Sequence, residues 1–145
     1  MPTEGWQATI GVCASNALYA SDMGYFFAPN GSATRNDEIP YVAKATGASN
    51  PTALGVLPSQ FNLSSCPGEF VRLVYMGEAI VRASNGLSTG DWFTVHTNGA
   101  VVAASGASSR YGRYLGPTFT SGSKLGTGLI LPPHFDTDAG DGIAS

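Results

Sequence analysis

His96, Asp91 and a surplus of serines supply the residue types of a nucleophilic triad. Such chemistry needs a base within hydrogen-bond reach of an activated hydroxyl, and donors for the oxyanion. The sequence has no Gly-x-Ser-x-Gly elbow, and strand alternation sets His96 beside Trp92 and Thr94, towards solvent or a subunit boundary. Ser121-Gly122-Ser123-Lys124 matches Ser-x-x-Lys, which works only when a helix brings the lysine beside the serine. Gly122 amid strand-forming residues predicts a hairpin loop there instead. Asp136-x-Asp138-x-Gly140-Asp141-Gly142 has the outline of a calcium loop, but Gly140 stands where Asp or Asn is needed and the closing glutamate is missing. His134 follows Pro132-Pro133 with no second His or Cys at ligand spacing. The expectation is no catalytic residue, no metal site and no cofactor: a protein that is not an enzyme.

Aromatic side chains offer binding rather than chemistry. Trp6, Tyr25, Phe26 and Phe27 lie in the first part of the chain and are the candidate interface anchors, since Trp, Tyr and Phe concentrate where proteins meet. The same residues would also serve to plug a core whose strands are poorly regular. Trp92 beside Asp91 is the nearest match to the aromatic platform of a sugar site, which keeps a carbohydrate-binding module as the alternative function.

The elements that must hold these residues follow from composition and pattern. A chain of 145 residues makes one domain and buries roughly 70% of its unfolded surface. Charged residues make up 12%, about half the usual share, and the polarity comes instead from Ser, Thr, Asn and Gly. A net charge of −3 with seven scattered Lys and Arg gives no basic stripe for nucleic acid. No apolar run approaches the roughly 20 residues that cross a bilayer. The N-terminus lacks the features of a signal peptide, which predicts use without secretion. Cys13 and Cys66 are expected as two buried thiols, and the sequons at Asn30 and Asn62 as chance matches.

Strand signals dominate. Gln7 to Cys13 and Ile39 to Ala45 are candidate strands, the second marked as an edge by Pro40. Asn16 to Met23 has room for one or two helical turns. Phe70 to Met76 reads as a buried strand and Glu78 to Ala83 as its neighbour after Gly77. Asp91 to Thr97, a turn at Asn98-Gly99, Ala100 to Ala104, Tyr111 to Thr120 and Leu125 to Leu131 complete the series. The expected architecture is all-β, a β-sandwich or β-tulip-like small domain with an irregular N-terminal portion. Residues 1–50 would form an irregular arm or sub-lobe, 51–135 the scaffold, and 136–145 a flexible acidic tail.

From Leu54 to Phe135 the pattern resembles the small decoration, or cement, proteins of tailed-bacteriophage capsids. The resemblance is carried by Leu54-Gly55-Val56, Val71-Arg72-Leu73-Val74, Gly77-Glu78-Ala79-Ile80-Val81, Gly90-Asp91-Trp92, Asn98-Gly99, Leu115-Gly116 and Gly128-Leu129-Ile130-Leu131. Pro117 departs from it, standing where the family carries alanine. The resemblance implies a homotrimer on the outer surface of an icosahedral head, made in the bacterial host cytoplasm. Its partners would be its own copies and neighbouring major capsid proteins, which it would clamp without catalysis.

Overall fold

The computed structural model describes residues 6–34, 40–45, 53–58, 69–105 and 109–135. Among them are nine strands: β1 (Gln7–Ala14), β2 (Phe26–Thr34), β3 (Pro40–Lys44), β4 (Gly55–Val56), β5 (Phe70–Ser84), β6 (Trp92–Val95), β7 (Val101–Ala103), β8 (Ser109–Tyr114) and β9 (Ser123–Phe135). The protein is all-β, and its layers are made by one mixed sheet that folds back on itself. The strand order is β1-β3-β2-β4-β5-β7-β6-β8-β9, with further pairings of β1 to β5 and β5 to β9. Those two extra ladders close the sheet twice. One circuit is β1-β3-β2-β4-β5, the other β5-β7-β6-β8-β9, and β5 is common to both.

Each circuit has its own core. Val12, Leu18, Phe27, Val42, Leu57, Val71 and Leu73 fill the first. Val81, Phe93, Val95, Val101, Tyr111, Tyr114 and Ile130 fill the second, together with Phe26, Val56 and Val74 from the outer side of the first circuit. β2 therefore has no solvent face at its start: Phe26 and Phe27 point to opposite sides, as strand geometry requires, and both sides are core. Residues 1–50, expected to be irregular, contribute three of these strands.

The shared strand differs from the sequence expectation. Phe70–Ser84 runs as one strand of 15 residues, not as two neighbours separated at Gly77. Gly77 has φ +112, and a Cβ there would collide with the Trp6 carbonyl oxygen and lie 2.9 Å from the Gln7 Cα. A glycine that reads as a turn in sequence is instead a bend inside the ladder, kept side-chain-free by the backbone of β1. Here β5 exchanges partners on one edge, pairing Phe70 to Gly77 with β1 and Gly77 to Ser84 with β9. A bulge at Tyr75, which has no residue opposite it on β1, shifts the alternation just before the exchange.

β3 is not an edge. It lies between β1, parallel, and β2, antiparallel. Pro40 is its first residue, the position at which a missing N–H costs the ladder least. The Asn98-Gly99 turn does join β6 to β7 as a hairpin, with Val95 opposite Val101. The loop spans Thr97–Gly99, closed by His96 N–H donating to Ala100 O at 2.7 Å. The helical signal near Asn16 to Met23 resolves to a single 3₁₀ turn, Ala20–Asp22.

Candidate functional site

The four candidate anchors fall into three environments. Phe26 and Phe27 are each 1% exposed, so neither can reach a partner. Phe26 packs edge-on against Phe93 and Tyr111, ring centroids 6.1 and 5.6 Å away. Tyr25 is partly buried in a polar seam between the two circuits. Lys44 Nζ stands 4.1 Å from the centre of its ring and the Arg82 guanidinium carbon 4.8 Å. Arg82 Nη2 donates to the Ser21 and Met23 carbonyls at 3.3 Å, and Lys44 pairs with Asp22 at 2.9 Å. Trp6 alone is presented to solvent, at 66%. Its carbonyl accepts from Glu78 N–H at 3.0 Å, which fixes the backbone beneath it.

The structure also exposes large apolar groups, among them Phe70 and Tyr75 from the stretch expected to be a buried strand. Phe70 is 51% exposed, because alternation along β5 turns it and Arg72 away from the core that takes Val71 and Leu73. Its ring lies over Gly11 of β1, with Arg72 at 5.7 Å. Ile10 and Tyr75 are exposed on the same pair of strands. On the β8–β9 side, Leu115 and Leu125 are 43% and 45% exposed. The strand period places Phe70 on one face with Arg72 and opposite Val71 and Leu73, and the charge at Arg72 marks that face as the outer one.

The residues with catalytic potential are not brought together. Asp91 and His96 sit at opposite ends of β6, and a strand rise of about 3.3 Å per residue separates their Cα atoms by about 16 Å. Asp91 Oδ2 accepts the Ser88 N–H at 2.9 Å, a turn contact. His96 Nδ1 is buried and no hydroxyl reaches it among the described residues. Ser121 and Lys124 are both exposed where the chain turns into β9, with Gly122 at φ +77 and no helix between them. Burial pushes the Tyr111 hydroxyl up from its ordinary value, a hydrogen bond with the Ala53 backbone opposing this in part. Burial does the same to Tyr114, whose hydroxyl donates to the Pro117 carbonyl at 2.9 Å.

Among the described residues no three His, Cys, Asp or Glu side chains gather at metal-binding distance. Cys13 is buried on β1, while Cys66, Asn62 and the acidic segment from Asp136 lie outside the described residues. Asn30 of the other sequon donates to Ser15 Oγ at 3.1 Å. The Trp92 platform is partly buried and already partnered: the Arg113 guanidinium carbon lies 5.2 Å from its ring centre, with Arg113 Nε held on the Gly90 carbonyl at 3.1 Å.

No family model matches the sequence, and neither does any curated protein. Among solved structures, the fold is similar to that of the head fiber gp8.5 N base in bacteriophage phi29. The TM-score is 0.56 at 14% identity, over 88% of this chain and 97% of that one. At that identity the likeness is one of fold.

Proposed function

We propose that this chain is a non-catalytic structural protein of a phage virion that decorates the outside of the head. It binds the outer surface of neighbouring major capsid proteins and cements them, acting as a homotrimer assembled in the host cytoplasm. One observation carries the reading: the fold is similar, along almost the whole length of both chains, to the base of a phage head fiber. The decoration-protein pattern between Leu54 and Phe135 supports it from the sequence side.

The surface suits that task. Phe70 and Tyr75 are large, exposed and mounted on β5 where it pairs with β1, and Trp6 stands just before β1 with its carbonyl held by Glu78 N–H, so little entropy is lost on docking them. A trimer holding several capsid subunits at once gains on the order of 10²–10⁴ over one contact.

Cementing is tested on the head itself. DNA-filled heads with and without the protein are heated or osmotically shocked, and DNA release is followed by dye fluorescence. Decorated heads should release DNA at the higher temperature. Identical release curves at full occupancy would leave a bound but non-cementing protein.

A further inference from the structure

We infer that the cleft between the Ala20–Asp22 turn and β3 is a saccharide-binding site. The cleft has a volume of about 300 Å³, the lower end of small-molecule pockets and large enough for one sugar ring. Its apolar floor is offered by Ala17 and Ala43, both partly exposed, while Phe27 and Val42 also line it with only 1% of their surface exposed. At its rim stands Tyr19, 56% exposed, an aromatic face of the kind that packs on the C–H side of a pyranose.

The polar groups around that floor match hydroxyls better than ions. Asp22 and Lys44 pair at 2.9 Å, so together they present no net charge to attract a free anion or cation. Both keep hydrogen-bonding capacity: the carboxylate accepts from Tyr19 N–H at 2.8 Å and from Lys44, and the ammonium has further protons to give. The exposed side-chain amide of Asn16 adds one donor group and one acceptor to the same cleft. A sugar hydroxyl, both donor and acceptor, is complementary to such an alternating set. The set is also held in advance, with Lys44 stacked on Tyr25 at 4.1 Å.

β3, which forms one wall, pairs with β2 along this stretch and with β1 only at Tyr41 and Val42. This site is separate from Trp92, whose ring Arg113 already covers.

The test is NMR on the intact protein with glucose, galactose, mannose, N-acetylglucosamine and their disaccharides. At about 10 mM, enough for millimolar affinity, at least one sugar should show saturation transfer. The shifted protein resonances should be those of the Tyr19 ring, the Asn16 side-chain amide and Lys44. Tyr19→Ala or Asn16→Ala should weaken that binding about tenfold, the worth of one good contact, while Trp92→Ala leaves it unchanged. Mapping on the unaltered protein reads the site even if a variant is poorly folded. No transfer from any sugar, shifts centred elsewhere, or undiminished binding in a folded Tyr19→Ala variant would each overturn the assignment.

Discussion

The ring of Phe70 lies over Gly11, so that a Cβ at position 11 would meet its tip and stand 2.8 Å from Cε1. An aromatic group at the start of β5 is thus supported by bare backbone on β1 and still shows half its surface to solvent.

Gly11 and Gly77 should respond differently to the same methyl group. At Gly11 the obstacle is the outer end of an exposed ring that can swing away, so Gly11→Ala should change stability by less than about 1 kcal/mol. At Gly77 the obstacle is the Trp6 carbonyl and φ is +112, so Gly77→Ala should cost about 2 kcal/mol or more. Urea unfolding of both variants gives the comparison, and equal midpoints would contradict it.

The candidate anchors should separate in the same assay. Phe26→Ala opens a hole between Phe93 and Tyr111 and should cost about 3–5 kcal/mol. Trp6→Ala, at an exposed site, should stay within about 0.5 kcal/mol and so remains usable for binding studies.

The seam at Tyr25 joins the two circuits, because Lys44 belongs to β3 of one and Arg82 to the half of β5 paired with β9 in the other. A double-mutant cycle of Tyr25→Leu with Arg82→Met should give a coupling of about 0.5–1 kcal/mol. Strict additivity would mean that the ring and the guanidinium are merely neighbours.

Alkali should destabilise the fold through Tyr111 and Tyr114. Burial raises both above the ordinary value of 10.0, so below that pH their contribution is fully present. As pH rises past it the unfolded chain releases its protons first, and stability falls until the folded hydroxyls ionise. As pH rises past about 10 the urea midpoint should drop, and drop less in a Tyr111→Phe, Tyr114→Phe double variant.

Period and turn chemistry make the all-β class and most strands of the second circuit legible in the sequence itself. Trp92 to Val95 and its return through Asn98-Gly99 are local, and local patterns survive folding. The errors arose where tertiary contacts override local meaning. Gly77 punctuates the sequence like a turn, yet its role comes from β1, some seventy positions upstream in the chain. Pro40 reads as an edge marker, but it only opens a strand that has neighbours on both sides. Phe26 and Phe27 read as an aromatic patch because one sequence does not reveal that β2 separates two cores. The Tyr19 cleft was invisible for a similar reason, since its walls come from a turn and from β3, brought together only by the closed circuit.

Head binding is read by co-sedimentation of the purified protein with expanded, undecorated phage heads, with the solution mass measured by light scattering on the same sample. A particle near three times 14.9 kDa should pellet with the heads at a saturating, fixed ratio to the major capsid protein. A monomer that stays in the supernatant at every head concentration would contradict the cementing role.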